Sequence, residues 1–206
     1  MKIQKFTEES DWLAARIGKI TGSRAYDVSP KERGGGYRKA FYELIAERIA
    51  LPSDGENAMN RGHRLEPVAL DRFEEATGKQ INRELMIWSR EDNESISVSP
   101  DGAIEEDGKF VEGAEVKCLS AASHIEVYLT KVVDKEYVYQ VWQHFAVNPD
   151  LRKMSLIFFN PLLKVCDYFV IEYERVEVQK DVDVMLEQEK MTLSEVDRIV
   201  ASLTAL

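Results

Sequence analysis

The stretch that decides the fold begins at Ser99-Pro100-Asp101-Gly102. It resumes past the turn Asp107-Gly108 as Gly113-Ala114-Glu115-Val116-Lys117-Cys118. Segments 102–106 and 109–117 read as two strands joined by that turn. Glu115 and Lys117 stand two apart in the second strand, so both side chains leave the same face. The preceding strand brings Asp101 beside them. Two carboxylates and an ammonium on one face are expensive unless a divalent cation neutralises the acids. Mg²⁺, or Mn²⁺, prefers such oxygen ligands, taking one or two carboxylates together with water and substrate phosphate. The lysine can then orient the attacking water or help to deprotonate it. An isolated Glu-x-Lys is more often an ordinary hairpin with a surface ion pair. The Pro-Asp at hairpin distance brings the chemical reading level with that one.

Outward from this hairpin the pattern is helical. Thr7 before Glu8-Glu9 reads as a helix cap, and Gly18 breaks the helix that follows. Thr21-Gly22-Ser23 can cap a short helix, and segment 30–36 reads as a flexible basic loop. Apolar spacing predicts a helix over 37–50, a turn over 52–55, and a long helix from 58 to 77 ended by Gly78. Segments 81–88 and 95–98 precede the hairpin as strands. Helices are expected over 121–130 and 135–147, then strands over 154–159 and 165–173, and a closing amphipathic helix over 178–203. The expected architecture is one α+β domain, residues 1–206, with a central sheet of mixed direction.

Composition limits the partners. The chain has 206 residues, 27 Lys+Arg and 37 Asp+Glu, for a net charge of −10. Such a charge argues against coating nucleic acid by bulk attraction, but it is unevenly spread. Residues 1–50 carry ten basic and seven acidic side chains, whereas residues 101–150 carry four and ten. Arg16, Lys19, Arg24, Lys31, Arg33, Arg38 and Lys39 supply local positive charge in the first fifty residues. Two cysteines, Cys118 and Cys166, form no metal-type spacing and read as reduced thiols. No apolar run can span a bilayer and no signal sequence is recognised, so a cytoplasmic, membrane-free protein is expected.

Further segments extend the chemical reading. Arg61-Gly62-His63-Arg64-Leu65-Glu66 lies on the long helix, where Glu66 could add a carboxylate or be a solvated helical acid. Trp12-x3-Arg16-x-Gly18-x2-Thr21-x-Ser23 puts a guanidinium and a hydroxyl around a helix start, which suits a phosphate. Tyr137-x2-Gln140-x2-Gln143 sits on a later helix, and its simplest reading is an amphipathic helix with core aromatics. His63, His124 and His144 read as structural or surface histidines.

In this order and spacing, the pieces resemble the phage lambda exonuclease/YqaJ-type viral recombinase branch of the PD-(D/E)xK nucleases, over nearly the whole chain. The resemblance implies a restriction-endonuclease-like α+β core. It implies that Asp101, Glu115 and the main-chain carbonyl of Val116 ligate Mg²⁺, two ions per site, with Glu66 completing the acidic cluster. Lys117 would position the nucleophilic water, and Gln140 would hold the water or the scissile phosphate. Arg16, Ser23 and Ser99 match a pocket for a 5′-terminal phosphate. Arg33 and Met59 fall near DNA-contacting and strand-separating positions. The activity implied is 5′-to-3′ digestion of linear duplex DNA, releasing mononucleotides and leaving a 3′ overhang. The implied assembly is a ring-shaped homotrimer that passes the overhang to a single-strand annealing protein. The rivals are a different PD-(D/E)xK nuclease, such as a restriction endonuclease or an iron–sulfur enzyme, and a non-catalytic DNA-end-binding module. An iron–sulfur cluster needs about four cysteines, and this chain has two.

Overall fold

A computed structural model describes residues 1–29, 37, 40, 41, 44, 47, 60–119, 121–163 and 166–205, with residues 60–63, 121 and 122 described in backbone only. The glycine-rich loop at 30–36, the turn at 52–55, and Lys31, Arg33, Arg38, Lys39 and Met59 lie outside the described residues.

Two sheets organise the chain. The first is antiparallel, in the order β1 (Lys2–Phe6), β2 (Leu85–Ser89), β3 (Ser97–Val98). The second runs β4 (Gly102–Glu106), β5 (Lys109–Lys117), β6 (Lys153–Phe159), β7 (Tyr168–Glu174). Within it β5 and β6 are parallel and the other pairs antiparallel, so its direction is mixed. This second sheet is the expected central sheet of mixed direction, and Asn82, ahead of β2, bridges to Ala103 of β4. Strand β1 was not anticipated: four of its five residues are exposed, so it has no core-facing alternation to read. Thr7 does not cap the first helix, whose N-cap is Glu8.

The helices are α1 (Glu9–Ala14), α2 (Gly22–Val28), α3 (Asn60–Thr77), α4 (Ala121–Thr130), α5 (Lys135–Val147) and α6 (Arg175–Thr204). Tyr37, Ala40, Phe41 and Leu44 are also helical and buried, the i, i+3, i+4, i+7 stripe of a core-facing helix. Among the described residues no helix is long and apolar enough to cross a membrane. Cys118 and Cys166 are free thiols.

Strand β6 shows how the core is divided. Met154, Leu156 and Phe158 enter a cluster with Trp88, Val141, Phe145, Met185 and Val196. Ile157 and Phe159 enter a second cluster with Leu70, Phe73 and Ile81. The period of two thus sends alternate side chains of β6 to opposite faces, each covered by helix. Ala114 belongs to the second cluster and Val116 packs against it, which turns Glu115 and Lys117 toward the face lined by α5.

The hairpin between β4 and β5 closes as its sequence requires. Asp107 and Gly108 have φ of 51° and 77°, the left-handed pair of a type I′ turn. A bulge between Ile104 and Glu105 shifts the register, which then pairs Gly102 with Ala114. Gly102 is needed for closeness: a Cβ there would lie 2.5 Å from Ile81 Cγ2.

Candidate active site

The pairing of Gly102 with Ala114 sets Asp101 opposite Glu115. Asp101 Oδ2 accepts a 2.7 Å hydrogen bond from the Val116 N–H, which fixes the carboxylate at the strand end. Lys117 Nζ donates to Glu115 Oε1 at 2.8 Å, and the two side chains are only 14% and 13% exposed. The ammonium also lies 4.9 Å from the centre of the Tyr137 ring on α5.

The electrostatics separate the two acids. Burial pushes the Asp101 carboxyl well above the usual range, and Glu115 and Glu66 push it further, against the opposing pull of Lys117 and the Val116 N–H. Glu115 meets the same burial, but Lys117, His144 and Arg16 outweigh it and hold the carboxyl below its ordinary value. Burial favours the neutral amine of Lys117, yet Glu115 and Asp101 more than compensate, so the ammonium is retained. One acid is stabilised by cations of the chain, and its neighbour needs another source of positive charge.

That need fits a divalent cation. Among the described residues no three His, Cys, Asp or Glu side chains form a ready-made cage. A pair of carboxylates open to water and phosphate is nonetheless the donor set that Mg²⁺ uses, because this ion keeps several waters. Glu66 lines the same cleft as Asp101, together with Trp12, Pro100, Arg83 and Met86, around a volume of about 200 Å³.

The other predicted residues fall in two groups. Arg16 is drawn to this site: its guanidinium stacks 4.2 Å above the Trp12 ring, and Glu115 and Asp101 attract it. Burial lowers its pKa, so it is a partly desolvated cation, able to bind an anion strongly. Gln140 is buried at the α5 surface, with its Oε1 unpartnered. Ser99 Oγ is likewise buried and unpartnered. Ser23 is exposed, and its hydroxyl lies 3.1 Å from that of Thr21. A Cβ on the preceding Gly22 would lie 3.2 Å from Val98 and 3.9 Å from Gln140, so the start of α2 packs closely on α5. Arg33 and Met59 lie outside the described residues and are placed nowhere.

Sequence reasoning missed His144. It is fully buried one turn after Gln140, with Nδ1 2.8 Å from the Gln140 carbonyl and Nε2 3.7 Å from Glu115 Oε2. The signal was its i+4 spacing from Gln140, which puts both on the face turned toward β5.

Comparison with known proteins identifies the fold and the family. A structure of LHK-Exo, an alkaline exonuclease from Laribacter hongkongensis, superposes with a TM-score of 0.82 at 25% identity, covering 95% of this chain and 96% of that one. The same enzyme in complex with dAMP matches equally well. A phage-related exonuclease from Haemophilus somnus 129PT shares the fold, with a TM-score of 0.67 at 13% identity over 90% of this chain and 96% of that one. A search of curated protein sequences finds no match. The fold is that of the PD-(D/E)xK nucleases. The profile of the YqaJ-like viral recombinase domain matches residues 11–148. The chain belongs to that family.

Proposed function

We propose that the protein is a metal-dependent DNA exonuclease that digests the 5′-ended strand of linear duplex DNA, releases mononucleotides and leaves a 3′ overhang for recombination by strand annealing. The observation that carries this reading is the meeting of Asp101, Glu115 and Lys117 across two paired strands, with Arg16 drawn toward the same carboxylates. Kinship with an alkaline exonuclease whose structure includes a dAMP complex supports it.

Asp101, Glu115 and the main-chain carbonyl of Val116 would hold Mg²⁺ or Mn²⁺, two ions per site, with Glu66 completing the acidic set. When bound, the cations supply Lewis-acid stabilisation of charge on the scissile phosphate and an acidified water. The rest belongs to the chain. Lys117, held beside Glu115, orients the attacking water. Gln140 presents an unpartnered carbonyl oxygen to that water. Arg16, Ser99 and Ser23 receive the 5′-terminal phosphate, with the guanidinium as fork and the hydroxyls as donors. Reading a terminal phosphate makes the enzyme begin at an end. Family kinship supports a ring-shaped homotrimer around the DNA and an annealing protein as recipient of the overhang.

The deciding experiment compares end-labelled linear duplexes, bearing 5′-phosphate or 5′-hydroxyl, with closed circles, in Mg²⁺ and in EDTA. Loss of 5′ label from phosphorylated linear DNA in Mg²⁺ alone is expected. Cleavage of the circle, or digestion that EDTA leaves untouched, would overturn the reading.

A further inference from the structure

Gln143, one turn beyond Gln140 on α5, is fully buried. Its Nε2 faces two carbonyls, that of Ile20 at 3.4 Å and that of Ser97 at 3.5 Å. Two acceptors on one side require the NH₂ there, which turns Oε1 the other way, and Oε1 has no donor. Glu189 of α6 packs against Gln143, fully buried, with Ser29 from the end of α2 beside it. Both carboxyl oxygens and Ser29 Oγ also lack a closed hydrogen bond. An ionised Glu189 would be a fully buried carboxylate with no closed hydrogen bond, which is costly. A protonated carboxyl supplies the missing donor to Gln143 and still accepts from the Ser29 hydroxyl.

The charged surroundings do not supply an alternative. Arg90 is the cation that acts on Glu189, but it is committed to Asp92 through Nε and Nη2 and to the Ala146 carbonyl through Nη1. Lys190, next on α6, pairs with Asp92 and Glu187. Tyr37 meets Thr192, one turn along α6. Burial is the main cause that raises the Glu189 pKa, to about 8, against smaller pulls from Gln143, Arg90 and Ser29.

The two carbonyls that Gln143 holds are consequential. Ile20 is bridged to Ile96 and leads into Thr21 and Ser23, whereas Ser97 leads through Val98 to Ser99 and Asp101. We infer that Gln143, held by a protonated Glu189, is a positioning residue that locks the phosphate-pocket segment to the stretch running from β3 to Asp101. The consequence for DNA rests on the proposed nuclease reading; the buried proton does not.

Because the folded state favours the protonated form, folding holds this proton between the ordinary carboxyl pKa, 4.5, and about 8. Stability contributed by protonated Glu189 is therefore present at low pH, falls as pH rises across that window and levels off above it. Thermal melting of wild type and Glu189→Gln from pH 5 to 9 reads this directly: the variant should gain on wild type up to pH 8 and hold its advantage beyond. Its kcat/KM on 5′-phosphorylated duplex should equal that of wild type at neutral pH and exceed it about tenfold one unit above the Glu189 pKa. Gln143→Met, similar in volume, should erase the preference for 5′-phosphate over 5′-hydroxyl ends, which Glu189→Gln keeps. Parallel melting curves, or a Glu189→Gln protein that melts lower at every pH, would overturn the proton. A preference that survives Gln143→Met would overturn the positioning role. A pH-dependent melting difference without any turnover in wild type would support the proton and overturn the nuclease reading.

Discussion

The three-stranded sheet gives β1 to solvent along most of its length, whereas β6 of the four-stranded sheet is buried from Met154 to Phe159. The outer strand is flanked by exposed ion pairs, Lys2 with Glu94, Lys5 with Glu84 and the N-terminal ammonium with Glu91. The inner sheet carries Glu115 and Lys117 of the candidate site on β5, directly beside its most buried strand. Chemistry that needs partly desolvated charges requires a support that cannot relax, and close packing on both faces supplies it. Exposed ion pairs mark an edge and guard it against pairing with other chains. They do not build a site.

Three substitutions test this contrast. Lys117→Ala should lower turnover roughly 10³-fold while leaving duplex affinity nearly intact, since it removes a donor aimed at the reacting water. Single-turnover rates and a binding titration would check it, and an unimpaired rate would remove Lys117 from the reaction. Gly102→Ala should destabilise the fold by about 1–3 kcal/mol, because the added methyl meets Ile81 and Leu70 of the second core cluster. Denaturant midpoints would report it. Lys2→Ala should leave the denaturant midpoint where it is, its partner Glu94 being exposed and solvated. A clear shift there would mean that the outer sheet is stiffer than its exposure suggests.

The legible parts of the molecule were those with a strong local period. The strands at 102–106 and 109–117 and the helices at 121–130 and 135–147 were read to their ends, because turn residues and apolar spacing agree there. The strand expected over 81–88 proved shorter, Leu85–Ser89, because Arg83 turns out to Asp71 and Glu74 of α3 and Asn82 bridges to Ala103. The meeting of Asp101, Glu115 and Lys117 followed from hairpin geometry alone. His144 and Glu189 did not, since a histidine or glutamate in a polar helix reads as a solvated face. Only tertiary packing tells a buried polar side chain from a wet one.

The type I′ turn at Asp107–Gly108 has a kinetic consequence. Asp101 and Glu115 meet through the short-range closure of one hairpin, whereas Arg16 and Gln140 must arrive from distant parts of the chain. Short loops close at small entropic cost and form early. The mutual repulsion of the two acids is thus met near the start of folding, before the cleft around them exists. Lys117, two residues beyond Glu115, is the compensating charge that is equally local.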